Sequence, residues 1–314
     1  MRPWLSTGTE FDLVAGSGRA EPGLMSVETN PPARLPHHDA LLACATALLP
    51  QLHPAAVLAE RSAAYLWGVD AFPRAENMAG QVQHVCLPPH AHGRARSSVR
   101  VHRARSEPQE RAETEGIPLT APVRTAVDCA VNARSLYLAT GLVDRFLAAG
   151  LVSAAEPASQ VGQPWSRPAR ARLERVLALA SPESQSQPES WARVLFCEAG
   201  LPPPLPQCRV RTRLGVLHAD LGWPRQATAV EFDSVRHHST LVQRRRDGVR
   251  WRAMRAAGWV VVSVNLHDLG PGARALVQRV RVLLQERGWW CTPVEAERID
   301  RVLWRLRRRA PVLR

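Results

Sequence analysis

Residues 216–233 read Val-Leu-His-Ala-Asp-Leu-Gly-Trp-Pro-Arg-Gln-Ala-Thr-Ala-Val-Glu-Phe-Asp, and their alternation decides the fold of the C-terminal half. Pro224-Arg225-Gln226 has turn composition and separates two strands, 216–223 and 227–233. A hairpin centred there sets Asp220 opposite Glu231 and His218 opposite Asp233, so four ionisable groups share one face. The other face carries Ala219, Leu221, Val230 and Phe232, as expected of strands with one side in a core. Carboxylates directly opposite one another repel unless a cation or a proton occupies the gap. Mg²⁺ suits such a gap, because it takes a few carboxylate oxygens and keeps several waters; Mn²⁺ uses similar ligands.

Outward from the hairpin, the apolar spacing predicts a helix over 189–199, a strand over 208–214, a helix over 241–257, a strand over 259–265 and a helix over 270–287. The order is α-β-β-β-α-β-α. Residues 259–264, Trp-Val-Val-Val-Ser-Val, form an almost continuous apolar run suited to a central strand covered on both faces. A mixed sheet flanked by helices follows, in an α/β (α+β) fold. Residues 291–314 read as a basic C-terminal helix or tail, with Arg301, Arg305 and Arg308 along one face.

The N-terminal half is organised differently. Residues 1–35 are rich in Gly, Pro, Ser and Thr and read as a mobile leader. A smaller α+β domain over 36–155 is predicted from two short helices within 37–68, strands over 83–87 and 98–103, and helices over 123–132 and 135–149. Pro, Ser and Gln-rich passages around a helical run at 169–180 make 156–188 a linker region. A C-terminal unit then occupies 189–290.

All 41 basic residues among the 314 are Arg, because the chain has no Lys, and they exceed the 28 acidic residues by 13. That excludes a P-loop lysine, a Schiff-base lysine and any nuclease mechanism that needs a lysine. The Arg usage fits either a GC-rich coding bias or selection for polyanion binding, and the charge favours polyanionic partners in both cases. The six Cys have no zinc-ligand spacing. The first thirty residues lack the apolar stretch of a signal peptide, and no window approaches the roughly 20 apolar residues of a membrane span. A cytoplasmic location is expected on that basis.

Pro188-Glu189-Ser190-x-x-Arg193, Asp220-Leu221-x-Trp223-Pro224, Val230-Glu231-Phe232-Asp233-x-x-x-His237, Arg246-Asp247-x-x-Arg250, Ala257-Gly258-Trp259-x-Val261 and Asp268 together resemble a family of actinobacterial proteins. Their C-terminal domain is similar to very-short-patch-repair endonucleases of the PD-(D/E)XK superfold, and the likeness covers about ninety residues. Upstream, Ser62-Ala63-Ala64-Tyr65-Leu66-Trp67-Gly68 and Arg124-Thr125-Ala126-Val127-Asp128 resemble AbiEi-type antitoxin proteins. Such relatives often begin with a winged helix, whose pattern residues 1–60 do not show. Two positions depart from the usual pattern. Ser234 stands where relatives have Gly, and Asp233 takes the superfold's lysine position, a trait shared with the resembled family.

The resemblance implies a metal-dependent DNA endonuclease acting in repair or defence, in which Asp220 and Glu231 hold Mg²⁺ and Glu189 reaches the same ion. Asp233 would add a ligand, and His237 would act as general base or protonate the leaving oxygen. Each residue also has a plainer reading. Glu189 suits the positive end of a helix, Asp220 and Glu231 suit salt bridges with Arg209 or Arg211, His218 suits a strand face, and His237 stands beside His238. Arg244, Arg245, Arg246 and Arg250 are candidate phosphate contacts or a solvated helix face, and Trp251 and Trp259 stack on bases or fill the core. DNA is the expected partner, with RNA open. The alternative function is a non-catalytic, antitoxin-like DNA-binding regulator.

Overall fold

The structure is a computed structural model that describes residues 34–71, 82–91, 97–163, 165–233 and 241–308; side chains at 241–245 and 307–308 lie outside that description. So do the leader before Arg34, Ser234 and His237. The N-terminal half runs α1 (His38–Leu48), β1 (Val57–Leu58), α2 (Glu60–Leu66), β2 (Gln83–Leu87), β3 (Val99–Arg103), β4 (Arg111–Thr114), β5 (Ile117–Thr120), α3 (Pro122–Asn132) and α4 (Leu136–Ala148). Its five-stranded mixed sheet has the order β3-β2-β1-β5-β4. Leu41, Leu58, Val85, Leu119, Leu142 and Phe146 are fully buried between this sheet and its helices.

The helices and the β2 and β3 strands match the apolar spacing, but three strands go beyond it. β1 is two residues long, too short for alternation to register. β4 and β5 form a tight hairpin whose central residues, Glu115 and Gly116, both have positive φ, 51° and 75°. That conformation matches the twist of paired strands and favours Gly at the second position. The two short motifs of this half act as cement. The Ser62 hydroxyl accepts from the His84 N–H at 2.9 Å, and Trp67 Nε1 donates to the Thr120 carbonyl at 3.0 Å. Arg124 Nε donates to Asp128 at 2.9 Å while its Nη1 reaches Glu110 at 2.9 Å.

After the short α5 (Ala155–Ser159), α6 (Arg167–Leu179) lies in the segment expected to be a linker. Its Leu173 and Val176 pack with Val127, Ala130, Ala139 and Val143 of α3 and α4, so this helix belongs to a core. The C-terminal half runs α7 (Gln187–Ala199), β6 (Leu205–Thr212), β7 (Gly215–Trp223), β8 (Thr228–Phe232), α8 (Leu241–Ala256), β9 (Val260–Val264), α9 (Ala273–Glu286) and α10 (Pro293–Arg308). This is the element order expected from the sequence. β6 ends at Thr212 because Arg213 and Leu214 form the turn before Gly215, whose φ is 99°.

The second sheet has the order β6-β7-β8-β9, antiparallel except for the parallel β8–β9 pair that α8 connects. On one face Leu221, Val230, Val262 and Val264 pack with α7, α9 and α10. On the other, Cys208, Val210, Ala229 and Val261 pack around Met254 of α8. Ala219 joins this second cluster, whereas the alternation placed it beside Leu221; Gln207, opposite this part of β7, has φ 45° and the pairing locally twists. Gly222 is a close approach, since a Cβ there would lie 2.6 Å from Cys208 Sγ. α10, in the stretch expected to be a helix or tail, buries Ile299 and Leu303 against the α7 side. Among the described residues no helix is long and apolar enough to cross a membrane.

α7 joins the halves. Gly141 of α4 lets the Trp191 ring approach, and a Cβ there would lie 3.0 Å from the indole nitrogen. Arg193 forms an ion pair with Asp144 of α4, both side chains being buried (6% and 0% exposed). The other Asp144 oxygen accepts the Ser181 N–H at 2.7 Å. Arg193, part of the first motif of the C-terminal resemblance, is therefore a clamp between halves. Removing one member of a buried pair leaves an uncompensated charge, at a cost of about 3–5 kcal/mol. Arg193→Ala should lower the unfolding free energy in urea by about that amount, whereas Arg246→Ala, on an exposed position, should change it by less than about 0.5 kcal/mol.

Candidate functional site

β7 and β8 pair as Leu221↔Val230, Gly222↔Ala229 and Trp223↔Thr228. The ladder stops there, and Asp220 and Glu231 lie just beyond its last pair, near enough to act on one another. A short 3₁₀ turn, Pro224–Gln226, makes the reversal, and Ala227 closes it with φ 40°. The Phe232 N–H donates to Asp220 Oδ2 at 2.7 Å, so the aspartate stitches the end of the hairpin where the ladder stops. Glu231 is buried at 5% exposure, facing α8. Trp251 Nε1 donates to its Oε2 at 3.2 Å, and Arg250 Nη2 lies 3.5 Å from the same oxygen. Glu231 Oε1 is buried with no aligned hydrogen-bond partner.

Burial pushes the Asp220 carboxyl up to about 7, and repulsion from Glu231 and then Glu189 adds to it, against the Phe232 N–H and the Arg250 charge. Glu231 is also raised, first by burial, with Arg250 and Trp251 pulling it back. A half-buried and a buried acid in this proximity resist joint ionisation. Their cationic neighbour is Arg250 from α8; Arg209 and Arg211 instead face His218 and Val216 across the β6–β7 ladder. Arg250 Nη2 also donates to the His218 carbonyl at 2.8 Å, and the His218 side chain is exposed.

Glu189 sits near, but its carboxylate is engaged locally. Oε1 accepts the Ser186 hydroxyl at 2.8 Å and Oε2 the Gln185 N–H at 2.9 Å, while the Ser186 hydroxyl accepts the Glu189 N–H at 3.4 Å. This is an N-terminal capping arrangement on α7. Its charge still reaches Asp220. Asp233 follows β8, half-buried, with its N–H donating to the Val264 carbonyl at 2.6 Å. His237 and the side chains of Arg244 and Arg245 lie outside the described residues. Arg246 is exposed one turn before Arg250 on α8. Trp251 and Trp259 pack, partly buried, against the Met254 cluster.

Among the described residues, the group of three or more His, Cys, Asp or Glu side chains with ligand atoms within 4.8 Å of one another lies elsewhere: Glu60, His84 and His102 of the N-terminal half. The sequence pattern did not mark it. Its members stand at the start of α2 and on β2 and β3, and only the parallel register, His84 beside Arg100 and Cys86 beside His102, turns both imidazoles to one face.

No family model matches the chain, and no solved structure matches it. Two proteins of Mycobacterium tuberculosis, one from strain CDC 1551 and one from strain H37Rv, each named only as an uncharacterized protein, are 27% identical to it over 162 residues. The match takes in 51% of this chain and 59% of each relative, so the chain spans somewhat over half the length of the curated relatives it matches.

Proposed function

We propose that the C-terminal half is a divalent-metal-dependent DNA endonuclease of the very-short-patch-repair-like type in the PD-(D/E)XK superfold, working at Asp220 and Glu231. The observation that carries this reading is the proximity of two carboxylates near the end of the β7–β8 ladder, Asp220 half-buried and Glu231 buried, close enough that each acts on the other and the Asp220 N–H reaches Glu231. Hard oxygen donors of this kind fit Mg²⁺ or Mn²⁺. Asp220 and Glu231 would hold such an ion, which when bound would supply a water of lowered pKa and offset charge on the phosphorus. Glu189 adds negative charge from the start of α7.

The remaining tasks fall to the chain itself. Trp251 and Arg250 hold Glu231 through Oε2, which fixes the side chain. Arg246, exposed on the same helix, meets a backbone phosphate, a contact that gives affinity and salt dependence without sequence choice. Repair or defence is the setting this activity suits, and the cytoplasm is where it would meet DNA.

Incubating the protein with plasmid in Mg²⁺, Mn²⁺ or EDTA, beside Asp220→Asn, tests the reading. Cleavage should vanish in EDTA and fall at least about 100-fold in the variant. Cleavage indifferent to both would overturn the mechanism, and salt-dependent binding without cleavage would favour the regulator.

The carboxylate pair also has a pH signature in metal-free protein. Asp220 is raised in the folded state, so its contribution to stability is present below its ordinary value of 3.8 and is lost as pH rises through about 7. Asp128, raised by burial to about 6, adds a slope of the same sign. Comparison with Asp220→Asn isolates the hairpin. The parent chain should lose more stability than the variant between pH 4 and pH 8, read from urea midpoints at fixed ionic strength. Equal slopes would mean that folding does not raise the Asp220 carboxyl.

A further inference from the structure

We propose that Glu60, His84 and His102 form a second metal site, in the N-terminal half, that takes a transition-metal dication such as Zn²⁺. The proposal stands apart from the hairpin and does not depend on it. His84 Nδ1 lies 2.9 Å from Glu60 Oε2, and His102 Nδ1 lies 2.9 Å from Glu60 Oε1. The imidazoles are stacked, with centroids 5.2 Å apart, and His84 Nδ1 also lies 3.1 Å from His102 Nε2. Nitrogen thus faces nitrogen at a point where a carboxylate oxygen also arrives.

Each side chain is fixed by its backbone. Glu60 opens α2 with φ 46°, a left-handed conformation that is costly for a residue with a Cβ and that recurs where function over-determines the backbone. The Ala59 N–H donates to the His84 carbonyl at 2.9 Å, tying the helix start to β2. In the parallel β2–β3 pair, His84 lies beside Arg100, so His102 follows on the same face two positions on. Glu60 is 4% exposed and His84 7% exposed, and Glu60 Oε1 has no aligned hydrogen-bond partner despite its nearness to His102.

The donor set selects the ion. Imidazole nitrogen favours Zn²⁺ and its first-row neighbours over Mg²⁺, and two histidines with one carboxylate leave positions for water or a further ligand. Around such an ion, with bonds of about 2.0–2.2 Å, ligand atoms stand roughly 3–4 Å from one another, a spacing these three side chains reach with small rotations. A cavity of about 270 Å³, lined by all three residues together with Arg100, Arg134 and Leu138, gives the entry path. The competing account is a buried network in which a proton, not a metal, lies between the histidines and Glu60.

The test uses the full chain carrying Asp220→Asn, which weakens the hairpin site. After chelator treatment and dialysis, Zn²⁺ is titrated calorimetrically and Co²⁺ is followed by its visible spectrum. One equivalent of Zn²⁺ should bind, and Co²⁺ should give ligand-field bands without the near-ultraviolet thiolate charge transfer expected if the cysteines were ligands. His102→Ala, at the more exposed histidine, should weaken Zn²⁺ at least about 10-fold with its circular dichroism unchanged, and Glu60→Gln should do the same. A folded parent that binds no Zn²⁺, a thiolate band with Co²⁺, or the same affinity in the parent and both folded variants would each overturn the proposal.

Discussion

The buried ion pair between Arg193 and Asp144 is the constraint on which the arrangement of the two halves rests. Burial raises the carboxyl of Asp144, and the Arg193 charge works against that shift, so the aspartate is tolerable inside the molecule only while its partner is in place. The same carboxylate receives the Ser181 N–H just ahead of α7. Arg145 Nη1 donates to the Gln185 carbonyl at 2.7 Å, and Gln187 bonds to the Asp70 carbonyl. The start of α7 is therefore held from the N-terminal half at several points. Because Glu189 stands in that first turn, its charge is held at a fixed place relative to Asp220. Arg193, which reads in sequence as part of a nuclease-like motif, thus acts on this region through position.

Much of the C-terminal half was legible because its information is local. Pro224 marks the reversal, and the alternation on either side of it sets which residues face each other; Asp220 and Glu231 become neighbours from turn chemistry alone. The apolar run ending at Val264 reads as a covered strand, and it is one, parallel to β8. What stayed hidden depends on elements far apart in the chain. The partner of Glu231 is Arg250, which arrives on α8 from beyond the next connection, whereas the eye goes to Arg209 and Arg211 on the adjoining strand. Ala219 changed cluster because of a backbone twist near Gln207 that side-chain patterning does not encode. The triad of Glu60, His84 and His102 needed a parallel pairing of two strands separated by a long connection, for which no local signal exists.

The absence of lysine shapes the chemistry available at the hairpin. A lysine ammonium placed beside two carboxylates can give up its proton and take it back, but a guanidinium stays charged across the working range. Arg250 can therefore offset charge at Glu231 without acting as a proton store. Proton movement at the hairpin would then fall to the acids and to His237, which lies outside the described residues. Asp220, raised to about 7 by burial and by Glu231, is poised to hold or release a proton near neutral pH while no cation is present. A bound dication would remove that option by holding the acid ionised, so the same residue would serve as a proton carrier or as a ligand, but not as both at once.

The two clusters of ionisable groups differ in the way that decides metal preference. The hairpin offers carboxylate oxygens bordered by Arg250, and such a site accepts an ion that keeps most of its water. The triad offers two imidazoles and one carboxylate in a tighter setting, with Glu60 in a backbone conformation that costs energy unless something at the site repays it. Hard and borderline donors separate ions that would otherwise compete, because Zn²⁺ gains more from imidazole than Mg²⁺ does. The clamp of Arg193 on Asp144 ties the halves that carry the two clusters together.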